Sequence, residues 1–402
     1  MKRPALSFLL LISPLHDRAR FRAGFEKFLA GLSELAGVEL REIDPGAGEL
    51  PSVVFVGTGG TEAGFRELAG RLRSPILLVS HPAENSLPAS LEILSWLRAR
   101  GRQGIILHGP PERIARPLAT YAAALAAGSR IAESRLGLIG KPSDWLIESR
   151  VDGALVEARW GCRIVEIPIR DIRLPAPGEG KDAGKRFLAG AREVTGVEPE
   201  LVDQAEALTA VLKEQIAAHR LDGITLRCFD LLDVWGNTGC LALSRLNDEG
   251  VPAACEGDVP ALFTMTAAYF LAGTPGFMAN PASIDPERGE MILAHCTVPL
   301  RLAREYSILP HFESGIGAAV RGVLPPGRCL LFKIGGDDLS RIFLCPGEIV
   351  ENLARPELCR TQIRVRVPGD GTDYLKRPLG NHLVVVPVSD PEPFNAFRSL
   401  FF

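Results

Sequence analysis

The first 130 residues alternate short apolar runs with longer amphipathic ones. The runs at 7–12, 53–56, 76–79 and 104–107 are the pattern of strands buried on both faces. Between them FRAGFEKFLAGLSELAG, EAGFRELAGRLR, LPASLEILSWLRARG and PERIARPLATYAAALAAG repeat their apolar positions at helical spacing. Repeated βα units predict a parallel, doubly wound sheet, with ligands in the crevice beyond the strand C-termini. A second α/β unit begins at RLGLIGKPSDWLI, with a strand at 136–139, and continues through the apolar strand 162–169. A charged, Pro- and Gly-rich stretch follows at 174–185, then a long helix, a strand at 223–229, the helix CLALSRLNDEG and the strand VPAAC. Gly250 is placed to stop that last helix.

After Gly273 the texture changes to short β-rich runs separated by Gly, Pro and Asp: MILAHCTV, RCLLFKI, SRIFLC, TQIRVRV and HLVVVPV. The strict alternation of TQIRVRV predicts antiparallel strands with one wet face, in a small barrel or sandwich. The changes in pattern predict three domains: an N-terminal α/β domain at 1–132, a second at 133–272 and a β-rich domain at 273–402.

Composition narrows the class. A chain of 402 residues exceeds a single ordinary core. Net charge is −3, and no block of Lys or Arg forms a stripe, which argues against nucleic acid or anionic membrane as the partner. Eight cysteines (Cys162, Cys228, Cys240, Cys255, Cys296, Cys329, Cys345, Cys359) include no CxxC pair, so buried thiols of a reduced, cytoplasmic protein fit better than a disulfide framework or a zinc knuckle. The opening MKRPALSFLLLISPL reads as a first buried strand rather than a signal peptide. Pro14 interrupts it, and His16-Asp17-Arg18-Ala19-Arg20 stands where a small-residue cleavage site belongs. No apolar run reaches membrane-spanning length.

Chemistry concentrates in the last third. In ACEGDVPALF, Asp258 reads as a helix N-cap with Pro260 in the first turn, not as a catalytic group. Glu256 closes an apolar strand where α/β folds place ligands, and no cap requires it, so a functional role is weighed against a buried ion pair. His295 and His382 each stand in or beside an apolar strand, where a hydrogen-bonded core histidine competes with a ligand. His311, Glu313 and Ser314 cluster near a glycine-rich turn. Together these side chains supply nitrogen and oxygen donors for one hard or borderline cation. GTGGTE, with Gly59 and Thr61, opens a helix after a strand: an anion or sugar-hydroxyl cradle, or a plain tight turn. HPAENS, with His81, Asn85 and Ser86, either faces the same crevice or caps the next helix.

The segment CFDLLDVWGNTGCLALSRLNDEGVPAACEGDV, followed by FMAN, AHCT and LGNHLVVV, resembles the L-fucose/L-arabinose isomerase superfamily, most closely its short fucose isomerase-like branch. The resemblance implies two flavodoxin-like doubly wound α/β domains followed by an antiparallel β-barrel-like domain. It implies a divalent metal, Mn²⁺, held by Glu256, Asn280, His295 and His382, with Glu256 and His382 catalytic. Trp235, His311, Glu313 and Asn381 are expected against the substrate. It further implies a trimer or hexamer whose active sites lie between subunits, giving Gly59, Thr61, His81 and Asn85 a substrate-binding role across copies. Asn280 departs from the pattern, since an acid is expected there; an amide can ligate through its carbonyl but brings one charge less and accepts no proton. Asp285 is a candidate substitute, although five residues further on it better fits the turn IDPERG.

The expectation is an aldose–ketose isomerase-like enzyme in which Glu256 moves a proton between C1 and C2 of an open-chain sugar through a cis-enediol, a metal polarising the oxygens. Two alternatives remain open: a metal-independent lyase or isomerase on a phosphorylated or acidic sugar, and a non-catalytic sugar binder.

Overall fold

The computed structural model describes residues 5–176 and 178–402. Residues 1–4, the start of the segment read as a first strand, and Pro177, within the stretch 174–185, lie outside the described residues. The chain divides into two compact units, one of 1–128 with 392–402 and one of 129–391.

In the first unit β1 (Ala5–Leu11), β2 (Glu39–Glu42), β3 (Val53–Val56), β4 (Ile76–Ser80) and β5 (Gly104–His108) form one parallel sheet in the order β2-β1-β3-β4-β5. This is the flavodoxin-like order, with its switch point between β1 and β3. β3 and β4 are buried along their whole length, as central strands covered on both faces must be. β2 reads ELRE and is mostly exposed; an edge strand needs no apolar run, which is why the hydrophobic pattern does not announce it. Leu9, Val54 and Leu78 of the sheet pack on Phe65, Ala89, Ile93 and Leu97 of the helices Glu62–Leu68 and Ser86–Arg98. The C-terminal helix Glu392–Phe401 belongs to this unit.

The second unit opens with β6 (Arg135–Ile139) and β7 (Arg163–Ile167), followed by the short β8 (Glu193–Val194), β9 (Gly223–Leu226) and β10 (Ala253–Cys255). Four of these make a parallel sheet in the order β10-β9-β6-β7. The strand expected to reach Phe229 stops at Leu226, because the helix Asp230–Trp235 begins almost at once. Gly250 lies just beyond the helix Cys240–Asp248 in a left-handed conformation (φ +85°), as its position after that helix predicts.

The remaining strands are β11 (Phe277–Asp285), β12 (Glu290–His295), β13 (Glu305–Leu309), β14 (Ala319–Val323), β15 (Gly327–Gly335), β16 (Arg341–Asn352), β17 (Thr361–Arg366) and β18 (Leu383–Pro387). Six of them close an antiparallel barrel in the order β11-β12-β17-β16-β15-β18, which decides the choice between barrel and sandwich. β13 and β14 join β8 in a separate three-stranded sheet. β17 keeps the alternation its sequence predicts. Ile363 and Val365 enter the core, while Arg364 reaches out to Glu290 at 3.1 Å. Phe277, Leu293, Leu331, Ile363, Leu383 and Val385 fill the interior beneath the barrel strands. Each such side chain contributes roughly 1.5–3 kcal/mol through burial. Among the described residues no helix is long and apolar enough to cross a membrane.

Candidate active site

The site is built around the corner where β10 gives way to the helix Val259–Ala272. Glu256 sits on that corner with φ +64°, a left-handed backbone that a non-glycine residue adopts only when its surroundings enforce it. Gly257 follows at φ +69°, and a Cβ there would collide with the Lys141 carbonyl oxygen and lie 2.8 Å from its carbonyl carbon. The loop after β6 therefore presses directly on the corner. The Ser143 N–H donates to the Glu256 carbonyl at 2.9 Å. Arg227 braces the same loop, donating to the Pro142 carbonyl (2.6 Å), Asp144 (2.9 Å) and Asp230 (2.7 Å). Its guanidinium, helped by Lys141, holds the Asp144 carboxyl down at about 2.

Asp258 does cap the helix, accepting from the Ala261 N–H at 2.7 Å through Oδ1. Its other oxygen has a second role that capping does not reveal. Oδ2 accepts a hydrogen bond from His382 Nδ1 at 2.8 Å and lies 3.6 Å from Lys333 Nζ. Burial opposes the Asp258 charge, but Lys333 and His382 hold its carboxyl at about 2. Lys333 is fully buried on β15, and burial pulls its ammonium below the ordinary lysine range against the pull of Asp258. Nothing in the sequence reading had singled out Lys333, although a lysine inside the apolar run LLFKI is itself a signal.

The helix between Gly257 and Gly273 acts as a spacer. Gly273 ends it at φ +69°, and β11 then pairs Phe277–Ala279 with β18. Asn280 emerges there, half-buried, opposite Ala294 of β12, with its amide nitrogen 3.5 Å from the Asn381 carbonyl. His295 ends β12, and its Nδ1 shares a hydrogen bond with the Thr297 hydroxyl at 2.9 Å. His382 stands immediately before β18 with no exposed surface.

These elements bring three donors together. Glu256 Oε1 lies 3.5 Å from His382 Nε2 and 3.8 Å from His295 Nε2. Burial alone would raise the Glu256 pKa, but the two imidazoles outweigh it and hold the carboxyl well below its ordinary value. For His382, burial lowers the pKa, while Glu256 and Asp258 prevail and raise it to about 9.

The three donor atoms all lie within 4.8 Å of one another. His382 Nε2 is buried and makes no hydrogen bond, which a cation between it and the carboxylate would satisfy. Both Nδ1 atoms are engaged elsewhere, leaving both Nε2 atoms toward Glu256. The Asp258–His382 contact is the carboxylate–imidazole pairing that orients metal-bound histidines. The cluster Glu256, His295 and His382 can therefore bind a metal ion.

Beside it opens a cavity of about 470 Å³, lined among others by Glu256, Asn280, His295, His311, Glu313 and Asn381. That volume suits a small organic ligand. Five cysteines line it as well: Cys228, Cys240, Cys255, Cys296 and Cys359. All eight cysteines are free thiols, and the Cys228 and Cys255 sulfurs lie 2.7 Å apart.

Trp235 is placed differently from expectation. It does not line this cavity, and its indole N–H is spent on the Pro175 carbonyl at 2.9 Å. Another indole takes the place beside the carboxylate: Trp145 Nε1 donates to Glu256 Oε2 at 2.8 Å. Asp285, the possible substitute for Asn280, belongs to the β11–β12 turn, accepting from the Glu287 and Arg288 N–H groups.

Gly59, Thr61, His81 and Asn85 belong to the first unit. There the Gly59 N–H donates to the Glu84 carbonyl (2.7 Å), and the Thr61 hydroxyl donates to the Thr58 carbonyl (2.9 Å). His81 Nε2 donates to the Gly57 carbonyl (2.7 Å), and its Nδ1 accepts from Ala83 at 3.3 Å. Asn85 precedes its helix with φ +52° and makes no side-chain capping bond; Glu84 before it is also left-handed, at φ +55°.

No family model matches the chain. It is 24% identical over 319 residues to a sulfoquinovose isomerase from Clostridium sp. (strain MSTE9), an alignment covering 74% of this chain and 70% of that protein. It is 22% identical over 267 residues to a sulfoquinovose isomerase from Alkalicoccus urumqiensis, covering 62% of this chain and 59% of that protein. These similarities are consistent with the resemblance the sequence carries to the L-fucose/L-arabinose isomerase superfamily.

Proposed function

We propose that this chain is an aldose–ketose isomerase acting on a sugar, with Glu256 as the group that moves the proton between C1 and C2. The observation that supports it most is the convergence of Glu256, His295 and His382 beside a sugar-sized cavity. Glu256, His295 and His382 would hold a divalent cation, Mn²⁺ in keeping with the resemblance, with the Asn280 amide at the cavity wall as a further neutral donor. When bound, such a cation supplies a Lewis acid for the oxygens at C1 and C2.

The protein's own residues do the rest. Glu256 Oε1 faces the imidazoles, while Oε2 accepts from Trp145, itself part of the cavity wall. From there the carboxylate takes the C2 proton of the open-chain aldose and returns it to C1, while a second proton passes from O2 to O1. His311, Glu313 and Asn381 supply hydrogen-bonding groups for the hydroxyls. Within this reading the enzyme is a homo-oligomer, a trimer or hexamer, working in a reducing cytoplasm where its thiols stay free.

Because two relatives carry the name sulfoquinovose isomerase, sulfoquinovose heads the substrate panel, followed by neutral pentoses, hexoses and 6-deoxyhexoses. The test is bound metal by elemental analysis together with ketose formation across that panel. The reading expects a divalent ion near one per chain and turnover on at least one sugar, lost in chelator and restored by Mn²⁺. Full activity in chelator would favour the metal-independent alternative. A metal-free protein inert on every sugar would overturn the proposal.

A further inference from the structure

Trp145 lies on the loop after β6, with both its N–H and its ring engaged. Its N–H donates to Glu256 Oε2. Its ring meets Phe229 nearly perpendicular at 4.8 Å, and Phe229 in turn meets His311 edge-on at 5.4 Å. The loop that carries it is pinned at Ser143 to the Glu256 carbonyl and at Pro142 and Asp144 to Arg227. Even so, 53% of Trp145 remains exposed, and it lines the cavity. A large indole engaged at both its N–H and its ring and left half uncovered is not acting as core.

We infer that Trp145 is the apolar platform for the sugar and the positioning residue for the Glu256 carboxylate, a role that rests on the isomerase reading. The C–H groups of a sugar chain form an apolar face that packs on an aromatic ring, while its hydroxyls turn toward polar groups. The cavity sets polar groups, Asn280, His311, Glu313 and Asn381 among them, beside the aromatic rings of Trp145, Phe229 and Phe312. Of these rings the indole is the one both 53% exposed and bonded to the carboxylate, which suits it to the C–H face. The same ring fixes the carboxylate. With Oε2 tied to the indole N–H, Oε1 is left to the two imidazoles, and the two oxygens are no longer equivalent. A carboxylate free to rotate would exchange these roles and lose the near-attack geometry. Trp145 therefore acts on affinity through its ring and on turnover through its N–H.

Two substitutions separate these parts. Trp145→Phe keeps a ring and deletes the N–H. It is expected to leave KM within about threefold and to lower kcat about 10- to 100-fold. Trp145→Ala removes both; KM should rise about tenfold or more on top of the kcat loss, with the phenylalanine variant rescuing KM alone. Binding is read independently of turnover by tryptophan fluorescence, titrating sulfoquinovose, L-fucose and their alditols. The wild-type protein should respond to the sugar that binds, and Trp145→Phe should lose that response, since the other three tryptophans lie elsewhere in the chain.

A response that survives in Trp145→Phe would overturn the inference. So would unchanged KM and kcat in Trp145→Ala, or a wild-type protein whose fluorescence ignores every probe. Binding without isomerisation would instead contradict the isomerase reading and leave the platform standing. Because Trp145 is half exposed, the thermal transition should shift little, which separates lost function from lost fold.

Discussion

Glu256 combines two features that folding alone does not favour: a buried carboxylate and a left-handed backbone. A strained non-glycine φ costs of order 1–3 kcal/mol and persists where surrounding contacts enforce it. Here those contacts are the Ser143 N–H, the packed glycine that follows, and the Trp145 N–H. Asp258, two residues on, shows how one side chain serves structure and site together. Its Oδ1 caps a helix, and its Oδ2 holds a proton on His382 Nδ1, so that the proton a cation would displace is the one on Nε2. An ionised carboxylate only accepts, so Nδ1 keeps its hydrogen and Nε2 is left for a ligand. Replacing Asp258 by Asn keeps a capping oxygen but presents His382 with a donor, favouring the opposite tautomer. The expected result is a protein made less stable by the uncompensated Lys333, whose divalent-metal affinity, measured by titration calorimetry below its unfolding transition, falls about 10- to 100-fold. Undiminished affinity would show that Asp258 is a cap and no more.

At the scale of elements, the site depends on three connections: the β6 loop on the β10 corner, the buried helix Val259–Ala272, and the barrel strands that present His295 and His382. Gly257 is the joint of the first. Alanine there would need both a strained φ and displacement of the Lys141 carbonyl, so Gly257→Ala should destabilise the unit by about 2–3 kcal/mol. Denaturant unfolding measures that loss. Residual kcat should drop further than stability explains, because the loop bearing Trp145 must move away.

Much of this architecture was legible in advance. The β3 and β4 runs, the alternation of β17 and the Gly250 and Gly273 stops all arise from local pattern and backbone chemistry. Glu256, Asn280, His295 and Asn381 were each named, and they do meet at one cavity. Edge strand β2 was not legible because its burial pattern is polar. Trp145 was missed because KPSDW reads as a solvated loop; only the long-range contact with Glu256, 111 positions away, gives the indole a purpose. Trp235, expected against the substrate, does not line the cavity. Its N–H is instead spent on a loop carbonyl.

At the scale of the whole chain, the ligand cluster, the cavity and the Glu256 carboxylate all lie in the second unit, where a parallel sheet and a closed barrel carry them. The chain spans 70% and 59% of the two sulfoquinovose isomerases it resembles, so its substrate must be established on this protein itself. The most direct test of the account is isomerisation in D₂O, followed by NMR, comparing Mn²⁺-loaded wild-type protein with Glu256→Gln. If Glu256 carries the proton from C2 to C1 and exchanges it with solvent, the ketose should gain deuterium at C1. Glu256→Gln should lose about 10³-fold in rate while keeping a folded thermal transition. Ketose formed without any solvent deuterium, or a glutamine variant that turns over at the wild-type rate, would contradict the assignment.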